Sequence, residues 1–220
     1  MSDQSVSKAS IDYTLLSQFA HDTRGPFNGL LGFSELLIKQ FDQLSAAQQL
    51  DYLSIINQQA IRSYVHTQTF IAWVKCISNN LKILPVTVDS GEFMAALLKL
   101  IQPEMSTKEI DLQTQIMAKT TTSDLSVLPL AIANLLNHCL KYATAGIQIN
   151  LDLLNNEGKA QLIASCTNPE TKAMVQPEVK RWLDSASQNP VIQLFYVVLN
   201  AHQATITMDD DERTFFKLIW

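Results

Sequence analysis

The sequence predicts a long helical hairpin that pairs with a second copy into a four-helix bundle, followed by an α+β domain. Two observations carry this. In the first eighty residues apolar side chains recur at three-four spacing: Leu16, Ala20, Phe27, Leu30, Leu37 and Phe41, then Leu53, Ile56, Ala60, Thr67, Ile71 and Val74. Such spacing lays one stripe along one helical face. After Leu84-Pro85 the period changes to short β-rich runs separated by helical stretches, the order of an α+β fold.

Helices are predicted near 10–42 and 46–80, each about 50 Å long at 1.5 Å per residue. The short turn between them, Phe41-Asp-Gln-Leu-Ser-Ala, ends on Ser45, which suits the N-cap of the second helix. One hairpin of this length cannot hide its own apolar stripe. A homodimer, with two hairpins forming one bundle, is the simplest remedy. The boundary is placed at residue 82, giving a hairpin domain of residues 1–82 and an α+β domain of residues 83–220. Strands are expected near 83–89, 109–117, 146–153, 159–166, 203–208 and 214–219, and helices near 90–104, 126–143 and 189–201. The last two strand runs flank Asp209-Asp-Asp-Glu212 and predict a terminal hairpin.

Composition narrows the partners. The chain of 220 residues has 47% hydrophobic and 17% charged residues, which is a globular balance. A net charge of −5 argues against nucleic acid, whose binding needs a basic face. No apolar run reaches the length of a membrane span, and the N-terminal residues are polar, without the core of a signal peptide. Cys76, Cys139 and Cys166 are widely spaced among apolar neighbours; they read as reduced core thiols of a cytoplasmic protein. The cluster Trp182, Phe195, Tyr196, Phe215, Phe216 and Trp220 reads as core.

The stretch with chemical content is Phe19-Ala-His21-Asp22-Thr-Arg24-Gly25-Pro26-Phe27. Imidazole, with an ordinary pKa of about 6.5, offers a neutral nucleophile near pH 7. On a helix Arg24 is the i+3 neighbour of His21, so its guanidinium lies close to the ring. Pro26 has no amide hydrogen, so the carbonyl of Asp22 loses its helical donor. His66 and His202 lack such company and read as structural or solvated.

This stretch resembles the H box of bacterial sensor histidine kinases, in which a phosphorylatable histidine and an acid precede Arg-x-Pro. The resemblance implies that His21 carries a phosphoryl group and that Asp22 orients its ring or takes its proton. Arg24 completes the candidate catalytic set. Leu130-Ala-Ile-Ala-Asn134-Leu-Leu-Asn137-His138-Cys139-Leu-Lys141-Tyr142 likewise resembles the N box of the kinases' ATP-binding domain. Asn134, Leu135, Leu136, Lys141 and Tyr142 match. His138 stands where the family has an asparagine that holds magnesium, a hard cation that prefers oxygen. No glycine follows Gly158, so the Gly-rich turns that read adenine and wrap phosphates in the family are missing. The fold implied is therefore an all-α hairpin forming a dimeric four-helix bundle, then an α+β sandwich resembling a degenerate histidine-kinase ATPase domain.

Together these features resemble the dimeric histidine phosphotransferases of bacterial phosphorelays. That implies transfer between response-regulator receiver domains, with a hybrid kinase as a further candidate partner. No cofactor of its own is expected, and the magnesium of the transfer belongs to the receiver. Two rivals stand beside this reading: an ATP-dependent histidine kinase with an atypical nucleotide site, and a non-catalytic regulator that binds a kinase or response regulator.

Overall fold

A computed structural model describes residues 13–220 except 157, 187, 188, 209, 210 and 212. The hairpin consists of α1 (Tyr13–Gln40), a 3-10 turn (Phe41–Gln43) and α2 (Ala46–Ile77). Ser45 caps α2 as its sequence position predicts. Its hydroxyl accepts from the Gln48 amide while the Gln48 side chain accepts from the Ser45 amide, a reciprocal box that satisfies two otherwise orphaned donors. The helices stay close because Phe19 stacks on Phe70 at 4.0 Å and Phe33 meets Tyr52 edge-on at 5.8 Å. Gly29 lets them approach: a β-carbon there would sit 3.1 Å from the Gln59 side chain.

The seam within the hairpin is not the stripe read from the sequence. Along α1 it runs through Phe19, Thr23, Pro26, Leu30, Phe33 and Leu37, whereas Ala20, Phe27 and Phe41 are exposed. On α2, Leu53, Ile71 and Val74 also face outward. The periodicity merged two faces, one closing on the partner helix and one left open. The open face is strongly apolar, with Ile38 78% exposed, Leu50 67%, Leu31 58% and Tyr64 56%.

The remaining elements are β1 (Val86–Asp89), α3 (Ser90–Thr107), β2 (Asp111–Ile116), β3 (Thr120–Ser123), α4 (Leu128–Tyr142), β4 (Gln148–Asn156), β5 (Lys159–Cys166), α5 (Pro169–Asp184), α6 (Pro190–Ala201), β6 (Thr205–Thr207) and β7 (Thr214–Ile219). The main sheet has the order β2-β4-β5-β7-β6; β2 runs parallel to β4, and the other pairs are antiparallel. One face of it turns Ile149, Leu151 and Leu153 of β4, and Leu162 and Ala164 of β5, into the core, the alternation expected of a sheet covered on one side. β1 and β3 form a separate two-stranded ribbon, tied to the sheet's end by the Trp220 indole, which donates to the Thr122 carbonyl at 2.9 Å. α3, α4, α5 and α6 cover the sheet, and α4 is buried on most of its surface, as a central helix of a layered core should be.

Two elements were absent from the sequence prediction. β3 is Thr-Thr-Thr-Ser; its β-branched residues favour strand, but nothing in it is aliphatic. α5 carries Pro169 and Pro177, which read as breakers, yet Pro169 occupies the first turn behind an Asn168 cap whose side chain accepts from the Glu170 amide at 2.8 Å. A proline there costs no hydrogen bond. β6 and β7 form the terminal hairpin, whose connecting residues 209, 210 and 212 lie outside the described residues. Among the described residues no helix is long and apolar enough to cross a membrane.

The hairpin is fastened to the sheet domain by polar contacts that no local pattern signals. Arg62 on α2 donates to Glu104 at 2.8 Å, to the Pro103 carbonyl at 3.1 Å and to Thr107 at 2.7 Å. Asn134 on α4 donates to Thr69 at 2.9 Å.

Candidate functional site

His21 and Arg24 both lie exposed on α1, one turn apart. Asp22 is on the same helix, and its side chain lies outside the described residues. Pro26 sits inside α1, while Thr23 turns inward and donates to the Phe19 carbonyl at 2.8 Å. The stacking of Phe19 on Phe70 of α2 sets the rotation of α1 about its axis: Phe19, Thr23 and Pro26 are half-buried, and His21 and Arg24 are presented to solvent. The structure thus brings His21 and Arg24 to one accessible face.

The N-box helix meets different surroundings. Asn134 spends its amide on Thr69 and on the Leu130 carbonyl at 3.0 Å. His138 lies at 5.6 Å against the Trp182 ring in a stacked pose, with Tyr142 edge-on at 5.1 Å. Its Nε2 is 3.3 Å from the Glu178 carbonyl. Burial pushes its imidazole below the ordinary value, and nearby Lys141 pushes the same way, against the opposing pull of the Glu178 carbonyl and carboxylate. A neutral ring held between aromatics is built as a packing element.

These residues do not fit a magnesium nucleotide. The side chain in the cation position is an imidazole engaged by Trp182 and Glu178, and Asn134 is occupied by the hairpin. Residues 162–170, which the resemblance places at the family's adenine-reading turn, form the end of β5 and the Asn168 cap of α5, without a glycine. Helix α5, absent from the sequence prediction, carries the Trp182 ring that stacks with His138.

One chemical consequence is a pH dependence of stability. Because the folded state lowers the His138 value from 6.5, the unfolded chain binds more protons between the folded value and 6.5. The contribution is complete above 6.5 and falls as pH drops through that window. Urea titrations at pH 7.5 and 5.5 should show a stability loss that is smaller in His138→Phe than in wild type.

His202, the other histidine with a defined role, is structural. It is buried at the end of α6, with Nδ1 2.8 Å from the Val198 carbonyl and Nε2 accepting from the Asp124 amide at 2.9 Å. Cys139 and Cys166 are buried and all three cysteines are free.

No protein-family model matches the chain. A sensor histidine kinase of Pseudomonas protegens, GacS, is 24% identical over 157 residues, covering 70% of this chain but only 17% of the kinase. The Acinetobacter baumannii histidine kinase AdeS superposes with a TM-score of 0.53 at 12% identity, covering 90% of this chain and 96% of its own. A bacterial phosphotransferase gives 0.53 at 12% identity over 100% of this chain and 98% of that one. The catalytic domain of the histidine kinase ThkA gives 0.50 at 11% identity, over 62% and 94%.

The fold is that of a histidine kinase core. Within that fold, the hairpin presents His21 on an accessible face, and His138 of α4 packs against Trp182 of α5.

Proposed function

We propose that this protein is a histidine phosphotransferase of a bacterial two-component phosphorelay, carrying a phosphoryl group on His21 between receiver-domain aspartates. The observation that carries the reading is the pairing of an exposed His21–Arg24 face with an N-box helix whose His138 is packed on Trp182. A nucleophile is retained where a partner reaches it, and the side chains that a kinase needs to make its own phosphohistidine are committed elsewhere.

The chemistry is a pair of displacements. A ring nitrogen of His21 attacks the phosphorus of a receiver's phosphoaspartate. The P–O bond to the aspartyl oxygen breaks and that carboxylate leaves with the electron pair, while the imidazole proton passes to water or to Asp22. The second step reverses the first onto another receiver's aspartate. Arg24 steadies a phosphoryl oxygen during both. The transition state is stabilised chiefly by charges that the receiver brings, its magnesium included, so no cofactor of this chain is required. The partners are response-regulator receiver domains, with a hybrid kinase as one donor, in the cytoplasm.

The test is label uptake from a receiver domain preloaded with radioactive phosphoryl group. Wild type should take up acid-labile label. Arg24→Ala should do so about ten- to a hundredfold more slowly, the effect of losing one charge-assisted contact of about 1.5–3 kcal/mol. Equal rates would remove Arg24 from the mechanism.

The exposed apolar face of the hairpin supports a homodimer built on a four-helix bundle. Each large side chain fully buried there contributes about 1.5–3 kcal/mol. Leu31→Glu combined with Ile38→Glu should therefore convert the dimer to a monomer in sedimentation at micromolar concentration while leaving the thermal transition of each chain in place. A wild-type monomer at tens of micromolar would contradict the assembly.

A further inference from the structure

Strand β2 is a free edge of the main sheet. β4 lies along one side of it, and among the described residues no strand lies along the other. The Asp111 amide donates to the Ile147 carbonyl at 3.0 Å and the Met117 amide to the Leu153 carbonyl at 2.8 Å. The odd-numbered residues of β2 therefore turn their backbone groups toward β4. Strand alternation then aims the N–H and C=O groups of Leu112, Thr114 and Ile116 away from the sheet. Such a row is a template for another strand, and natural edges are commonly guarded by proline, lysine or a bulge. Asp111-Leu-Gln-Thr-Gln-Ile116 has neither proline nor lysine, and its register with β4 is unbroken. The apolar flank is open as well. Leu112 packs on the core, but Ile116, on the same face of the sheet, is 43% exposed.

The strand itself indicates the occupant. An antiparallel neighbour related by a two-fold axis through Thr114 sets Leu112 against Ile116 of a second copy, and Thr114 against Thr114. It is the self-pairing in which every outward backbone group of β2 finds a partner. On the core face it matches apolar with apolar and hydroxyl with hydroxyl, and on the other face Gln113 meets Gln115. Cross-strand pairs of these kinds stabilise a sheet. The same register brings Glu109 opposite Lys119, twice by symmetry. Both are exposed, and among the described residues neither is held in an ion pair. We infer that β2 pairs antiparallel with β2 of a second copy of this chain, joining two sheets into one across the Thr114 axis. The contact is isologous. It uses no residue of the His21 face or of the open hairpin face, so it stands apart from the phosphotransfer reading and from the bundle dimer. A chain with both two-fold contacts links bundle dimers to one another. One short strand pair covers less than the roughly 1,000 Å² of a stable interface, so this association belongs at high protein concentration.

The test is sedimentation of the full chain carrying Leu31→Glu and Ile38→Glu, a background that removes the bundle contact whether or not wild type forms it. Monomers at about 10 μM and dimers at about 1 mM are expected. Thr114→Pro in that background should stay monomeric throughout. Its ring removes only an outward N–H, so the sheet keeps its own hydrogen bonds. Glu109→Lys sets like charges together at both ends of the pairing and should weaken association about fivefold. Adding Lys119→Glu should restore it. Both of these positions are exposed, so the charge variants fold even where the proline variant does not. Dimers of unchanged affinity in Thr114→Pro, or a charge exchange that fails to rescue, would overturn the assignment. Monomers at every concentration would overturn it too, leaving the edge to a strand of another protein.

Discussion

His21→Gln should abolish uptake of phosphoryl label from a phosphorylated receiver while leaving the fold and assembly unchanged. The substitution removes the nucleophile, and the other three histidines are placed differently: His66 is half-buried on α2, His138 is packed against Trp182, and His202 has both ring nitrogens engaged. Because His21 is exposed on α1, removing its ring costs little packing. Circular dichroism and sedimentation should match wild type. Label on the variant, at any level near that of wild type, would place the phosphoryl group elsewhere.

The largest effect on stability should come from Phe195→Ala. Phe195 is fully buried on α6 and meets the Trp182 ring edge-on at 5.5 Å. Truncation leaves a cavity that the surrounding helices cannot close, at a cost of about 3–5 kcal/mol, read as a lower urea midpoint at unchanged slope. The same variant loosens Trp182, and with it the ring on which His138 rests. A substitution in the core of the sheet domain should therefore leave label uptake per folded molecule intact, because His21 is carried by the hairpin.

Much of this fold could be read before any coordinates. The hairpin, the Ser45 cap and the sheet-domain strands with aliphatic residues were visible because their signals are local: a three-four period, a capping pair, an alternation. What stayed hidden depended on contacts distant in sequence. The outward turn of Phe27, Phe41 and Leu53 followed from which face of α1 met α2, a choice that periodicity alone leaves open. Helix α5 was lost because Pro169 and Pro177 count against a helix until the Asn168 cap shows where the chain enters it.

The site divides in the same way. His21 and Arg24 were legible as a spacing on one helix, and their exposure follows from Phe19 and Thr23 facing inward. The significance of His138 was half legible. Its chemistry is unsuited to magnesium from the sequence alone, but the stacking partner that makes it a packing residue comes from a helix the sequence did not reveal. The Arg62–Glu104 and Thr69–Asn134 contacts had no sequence signal at all, since each joins residues far apart in the chain.

On the function proposed here, this kinase-like core receives phosphoryl groups from a receiver domain and does not make them from ATP. The most direct measurement supplies wild-type protein with two labelled donors in parallel, a phosphorylated receiver domain and γ-labelled ATP with magnesium, and counts acid-labile phosphohistidine. Label from the receiver alone, lost in His21→Gln, is the predicted result. Label from ATP in the absence of any other kinase would contradict it.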